Sequence, residues 1–196
     1  MQKATANQFL KRTFVLLMNE AKPDPLLSIN NLTGSGRMDI LCRVVITTFF
    51  LGDDTRGFRS DTDLFVFFRK FGKKIHLDGS KLSGLNPDER SIGGFLKQIF
   101  SGVSLPGVEF KPGKLDEILD IGGNNDRLIL DLSGPLFNPD RKTGYVFVLG
   151  DHAGISLEDR NLMELKAKRV SLGPRVYLTS QCVSILHFLL DRNFGS

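Results

Sequence analysis

Three short apolar runs in the last part of this chain each lead straight into a turn that contains glycine. Arg127–Leu132 reaches Leu132-Ser133-Gly134, Gly144–Leu149 reaches Gly150-Asp151-His152-Ala153-Gly154, and Ala167–Leu172 reaches Gly173-Pro174. Apolar runs of this length, bounded by turn residues, read as buried strands. Three such turns close together in sequence suggest a pocket built from backbone at the ends of neighbouring strands, where open α/β sheets bind ligands. Helix-like segments lie between these runs, so the fold expected is α/β: a mostly parallel sheet with helices on both faces.

The rest of the chain fits that plan. Thr13–Met18 reads as a buried strand, and Asn19–Gly36 as a polar loop. In Arg37–Leu51, Met38, Leu41, Val45 and Phe49 repeat at helical spacing. Leu64–Phe68 and Lys74–Leu77 read as two strands of a hairpin around Gly72. Asn86-Pro87-Asp88-Glu89-Arg90 is a helix start, with the Gly93-Gly94 pair weakening the helix that follows to Phe100. Ser101–Gly113 reads as a loop and Lys114–Leu119 as a short helix. Leu157–Lys166 and Leu178–Asn193 read as helices, the second burying Cys182, Ile185, Leu186, Leu189 and Leu190. No repeat or linker interrupts the sequence, so all 196 residues are expected to form one domain.

Composition narrows the functional classes. The net charge of +4 permits a polyanionic partner without requiring one. Sixteen Phe, two Tyr and no Trp suit burial better than surface base stacking. Two cysteines without CxxC spacing support neither a disulfide framework nor a zinc site, so no metal is expected. No apolar run approaches a membrane span, and the run Phe14–Met18 is too short for a signal peptide. A cytoplasmic protein without membrane contact follows.

Individual residues leave alternatives open. The glycine turns match neither GxGxxG nor GxxxxGK[ST], and no GxSxG elbow supplies a serine nucleophile. His152 beside Asp151 reads as a structural residue more readily than as an acid–base pair. His76 and His187 read as core or boundary histidines. Cys182 is a nucleophile, a pocket-lining residue or core, with nucleophile last; Cys42 is core. Arg37, Asp39 and Arg43 at a helix start form either a salt bridge or a carboxylate with arginines that clamps a substrate. Asp88, Glu89 and Arg90 repeat the theme. Lys166, Lys168 and Arg169 bind phosphates or form a solvated face.

Taken together, Gly34–Val45 (GSGRMDILCRVV), Leu85–Lys97 (LNPDERSIGGFLK) and Val146–Asp191 resemble the archaeal-type tRNA pseudouridine N1-methyltransferases, the TrmY family of the knotted SPOUT methyltransferases. The likeness spans nearly the whole chain and departs at the loop before Arg37, at Ser101–Gly123, and at Gln181, where the family pattern has histidine. It implies a C-terminal trefoil knot holding S-adenosylmethionine, lined by Leu132, Gly150, Leu172, Gly173, Leu178 and Cys182. It also implies a homodimer with the active site at its interface. The reaction implied is methyl transfer to N1 of pseudouridine at position 54 of the tRNA T-loop. Asp39 would orient the base or accept the N1 proton, with Arg37 and Arg90 beside it, and Arg43, Lys168 and Arg169 would hold the RNA. The alternatives are the same fold acting on pseudouridine in another RNA, such as ribosomal RNA, and a non-catalytic module that binds RNA or S-adenosylmethionine.

Overall fold

The computed structural model describes residues 11–52, 57–140 and 144–194. In the middle of its sheet lies β1 (Arg12–Met18), all seven residues of which are buried. It pairs in parallel with β2 (Thr62–Phe68) on one side and, across more than a hundred residues of sequence, with β6 (Tyr145–Gly150) on the other. β3 (Lys73–Asp78) and β4 (Val108–Pro112) extend the β2 side antiparallel. β5 (Asp126–Leu130) and β7 (Lys168–Val170) extend the β6 side in parallel. The order is β4-β3-β2-β1-β6-β5-β7, a seven-stranded, mostly parallel sheet.

The alternation of side chains along β1 divides the core between the two faces. Phe14, Leu16 and Met18 pack with α1 (Met38–Phe49), α2 (Glu89–Phe100) and α4 (Thr179–Phe194). Val15 and Leu17 point the other way, to Met163 of α3 (Leu157–Met163) and to Ile118 of the 3-10 segment Leu115–Asp120. Helices therefore cover both faces, as the sequence pattern predicts.

Several boundaries differ from the sequence expectation. The expected loop Ser101–Gly113 contains β4, which the sequence reading missed. Its half-exposed Val-Glu-Phe-Lys-Pro pattern is that of an edge strand, and Pro112 sits at its end, opposite Lys73, in a position that an edge strand tolerates. The strand expected to reach Leu132 ends at Leu130, and the one expected to reach Leu172 ends at Val170. The helix expected to Lys166 stops at Met163. Gly93-Gly94 does not break α2: a Cβ at Gly93 would lie 3.2 Å from Leu32 Cδ2, so the glycine lets that leucine approach the helix.

His187 on α4 is a satisfied core histidine. Arg12 donates to its Nδ1 (3.0 Å), which leaves Nε2 to donate to the Thr48 carbonyl (3.1 Å). Burial first, then the charges of Arg59 and Arg12, push its pKa down to about 3. These contacts tie α4 to β1 and α1. His76 stacks on Phe65, with ring centroids 4.1 Å apart. Among the described residues no helix is long and apolar enough to cross a membrane, and no group of three or more His, Cys, Asp or Glu could hold a metal ion.

Candidate active site

The parallel strands β1, β6, β5 and β7 end on the same side of the sheet, and the three glycine turns meet there. Asp131 N donates to the Val170 carbonyl (2.9 Å), Ser171 N to Pro135 O (2.8 Å), and Phe137 N to Ser171 O (2.8 Å). A Cβ at Gly134 would sit 2.6 Å from Val170 N, so glycine is what lets these two segments touch. Asp131 fixes its own turn by accepting from Ser133 N (2.9 Å) and Oγ (2.6 Å). Those bonds and the nearby Arg160 hold its carboxyl below the usual range.

The turn after β6 is held by a residue at the end of β1. The register Leu17↔Gly150 brings Asn19 alongside Asp151. Asn19 donates its backbone N–H to Asp151 Oδ2 (2.7 Å), and its Nδ2 to Asp151 Oδ1 (2.7 Å) and the Gly154 carbonyl (3.0 Å). Ala153 N also donates to Oδ1 (2.9 Å). Thr179 Oγ1, at the start of α4, donates to the Gly150 carbonyl (2.8 Å). Gln181, where the family pattern has histidine, accepts from Leu178 N (2.9 Å), the reach-back contact of a helix N-terminus.

Leu132, Gly150 and Cys182 line one cavity of about 360 Å³ with Leu149, Ile155 and Thr179. Leu132, Leu172 and Cys182 line an adjoining one of about 140 Å³ with Arg175 and Tyr177. Leu178 lines a third, described below. Gly173 lines none of these cavities; it takes φ +124 in the turn that follows Leu172. Burial pushes the Cys182 thiol up to about 11, against the thiolate that a nucleophile needs, and Cys42 up to about 12.

The arginine cluster forms at the start of α1. Arg37 occupies the left-handed region (φ 66, ψ 38) just before the helix, unusual for a residue with a side chain. This turns its guanidinium back onto Asp39, which accepts from Nε at 3.0 Å and Nη2 at 3.1 Å. Arg43 Nη2, one helical turn on, reaches Asp39 Oδ2 at 2.6 Å, and its Nη1 reaches Glu89 of α2 at 3.2 Å. Asp39 is 6% exposed. Burial raises its pKa, but the hydrogen bonds from Arg37 and Arg43 outweigh that and hold the carboxyl below its usual value.

A cavity of about 450 Å³ joins the two halves. Arg37, Ile40 and Arg43 form one wall; Asp151 to Gly154 and Val176 to Ser180 form the other. Arg90, exposed in the first turn of α2, does not line it; its neighbour Glu89 makes the contact to Arg43. Lys168 and Arg169 lie on the edge strand β7. Arg169 is paired with Glu164 and bonded to Ser133 Oγ (3.3 Å), away from the arginine cavity but beside the Leu132–Gly134 turn. Asn19, Arg175, Tyr177 and Thr179 were not singled out from the sequence. Polar residues directly after apolar strands were the available signal for Asn19.

A family model for SAM-dependent RNA methyltransferases matches residues 11–194. The chain belongs to this family. The methyltransferase is 34% identical over 197 residues to the tRNA (pseudouridine(54)-N(1))-methyltransferase of Methanococcoides burtonii, covering 94% of this chain and 98% of that protein. It is likewise 34% identical over 204 residues to the protein of the same name from Thermococcus kodakarensis, covering 92% and 98%. Archaeoglobus fulgidus Nep1 bound to S-adenosylhomocysteine matches in structure with a TM-score of 0.71 at 16% identity, over 95% of this chain and 100% of its own, which shows the fold.

Proposed function

We propose that this methyltransferase transfers a methyl group from S-adenosylmethionine to N1 of pseudouridine 54 in the T-loop of tRNA; its relatives are named as tRNA methyltransferases acting at N1 of pseudouridine 54, and its family model describes SAM-dependent RNA methyltransferases. The observation that carries the reading to these residues is the 450 Å³ cavity with arginines on one wall and the post-β6 turn on the other. A sulfonium donor supplies an electrophilic methyl group. Apolar walls at Leu132, Leu172, Leu178 and Cys182, with the turns at Gly150 and Gly173, would hold its adenosine and methionine parts by packing and backbone hydrogen bonds.

Across the cavity, Arg37 and Arg43 are permanent cations aimed by a buried carboxylate. They suit the uracil carbonyls and adjacent phosphates. Asp39, behind them, orients both guanidinium groups. Arg90 would reach RNA from the α2 side, and Lys168 and Arg169 from the β7 edge. Most of the rate gain would come from aligning N1 with the methyl group.

A knot is consistent with the interlocked segments at 131–137 and 170–171 together with the return of α4 to Gly150. The exposed Val176, Leu178 and Phe188 (83%, 66% and 61%) offer apolar surface for a homodimer contact around the site. One domain and a cytoplasmic location complete the proposal.

The deciding assay incubates the protein with S-adenosylmethionine and a tRNA carrying pseudouridine 54, then digests the RNA for nucleoside mass spectrometry. N1-methylpseudouridine should form, and a uridine-54 tRNA should yield none. Product from ribosomal RNA but not from tRNA would overturn the tRNA assignment. Asp39→Asn should lower turnover sharply while leaving S-adenosylhomocysteine affinity nearly unchanged, since Asp39 lines none of the cofactor-side cavities. Unchanged turnover would remove Asp39 from the mechanism.

A further inference from the structure

One side chain in the 450 Å³ cavity has no structural role to absorb it. The sequence reading favours a structural part for His152, yet its side chain is 40% exposed. Among the described residues it makes no hydrogen bond and no aromatic contact. Its one polar approach is Nδ1 to Asp151 Oδ1 at 3.8 Å, longer than a hydrogen bond. That carboxylate is held from three sides, by the two donors of Asn19 and by Ala153 N. A fixed negative charge on the Nδ1 side favours the tautomer with its proton there, leaving the Nε2 lone pair free.

Methyl transfer to N1 of pseudouridine must dispose of the N1 proton. The charged and titratable groups on the walls of this cavity are Arg37, Arg43, Asp151, His152 and Tyr177, with Asp39 behind the arginines. Guanidinium groups have no lone pair to offer. Both oxygens of Asp39 are engaged by arginines, and its carboxyl is held on the acidic side. Both oxygens of Asp151 are engaged by Asn19 and Ala153. A phenol such as Tyr177 accepts a proton only after it has ionised. His152 remains, with an unengaged ring nitrogen that has a lone pair to offer.

We infer that His152 is the proton acceptor of the reaction, with Asp151 and Asn19 as the positioning residues behind it; this rests on the pseudouridine reading above. The N1–H bond gives its proton to His152 Nε2 and its electron pair to the new N1–methyl bond. The sulfur–methyl bond breaks with its pair on sulfur, and the imidazolium then releases its proton to water. Arg37 and Arg43, on the opposite wall, stabilise the negative charge that develops on the uracil carbonyls as the proton leaves.

The test uses the whole protein with His152→Gln and His152→Ala. Turnover on pseudouridine RNA should fall about 10²–10³-fold, the range of general acid–base catalysis. S-adenosylhomocysteine affinity by calorimetry should stay within about twofold, showing the pocket intact. Wild-type kcat should fall on the acidic side of its pH profile, and that limb should vanish in both variants. Added imidazole should restore part of the rate to His152→Ala. Apart from activity, the His152 ring signals in NMR should titrate at a different pH when a pseudouridine stem-loop is bound with S-adenosylhomocysteine, and shift less with its N1-methylated counterpart. Wild-type turnover in His152→Gln, or an acidic limb that persists in both variants, would overturn the assignment while leaving the enzyme's activity established. A wild-type protein that binds S-adenosylhomocysteine but methylates no pseudouridine would overturn the functional reading itself, and the proton-acceptor role with it.

Discussion

Replacing Asn19 by alanine asks whether the turn after β6 is held by hydrogen bonds or by packing. The substitution removes two bonds from Nδ2, to Asp151 Oδ1 at 2.7 Å and to the Gly154 carbonyl at 3.0 Å; the backbone donor to Oδ2 survives. A hydrogen bond to a charged acceptor is worth about 1.5–3 kcal/mol and a neutral one about 0.5–1.5, so the expected loss is about 2–4.5 kcal/mol. Asp151 is 5% exposed, so water does not readily replace the lost donor. Urea unfolding at pH 7 without cofactor should show that loss, and calorimetry should show S-adenosylhomocysteine binding at least about tenfold weaker, because the turn must be ordered on binding. Asn19→Asp should be worse than Asn19→Ala, since it sets a second carboxylate against Asp151. It should also recover relative to alanine as the pH falls far enough to protonate one of the pair. A stability loss below about 0.5 kcal/mol in Asn19→Ala, or an Asn19→Asp protein no worse than alanine at pH 7, would refute the argument.

The same turn predicts that Gly150→Ala loses cofactor affinity by at least about tenfold with the sheet intact, because the new Cβ would lie 2.4 Å from the Gly154 carbonyl carbon; calorimetry and far-UV circular dichroism check both halves. Midway along α4, the buried neutral imidazole of His187 has its pKa pushed down to about 3, below the value near 6.5 of an unfolded chain. The unfolded state therefore takes up the proton first, so this contribution is complete above about pH 6.5 and falls by about 1.4 kcal/mol per pH unit down to about pH 3. An NMR titration in which His187 stays neutral at pH 5 supports this, and one in which it titrates near 6.5 contradicts it.

Much of this architecture was legible in the sequence because the information was local. β1, β6 and α4 are written in short apolar runs and in helical spacing, which need no partner to be recognised; the face of α4 was only partly legible, since the fold buries Val183, Leu186, His187 and Leu190 and leaves the expected Cys182, Ile185 and Leu189 half-buried. β4 was not, because Val108–Pro112 becomes a strand only through its pairing with β3, where Phe110 meets Ile75. The start of α1 was placed within one residue, but the left-handed Arg37 that aims the guanidinium at Asp39 leaves no mark in the sequence. The helix content of 115–120 was visible and its tighter 3-10 form was not, since the distinction depends on how the segment seats Ile118 under the sheet.

The candidate site divides along the same line. The three turns were visible because glycine after an apolar run is a local signal, and the i,i+4 spacing of Asp39 and Arg43 was enough to pair them. What joins them is strand order. Only when β6 takes its place beside β1 do Asn19 and Asp151 become neighbours, and only when α4 returns to Gly150 does the segment Val176–Ser180 close the cavity over Arg37 and Arg43. His152 changes meaning for that reason. In sequence it is one residue of a glycine turn with no partner in view. In the folded chain it stands on the wall opposite two permanent cations, backed by a carboxylate whose own oxygens are fully engaged. The chemistry of the site is thus carried by a juxtaposition that spans more than a hundred residues of chain, and a change of register between β1 and β6 would abolish it without altering any of the side chains involved.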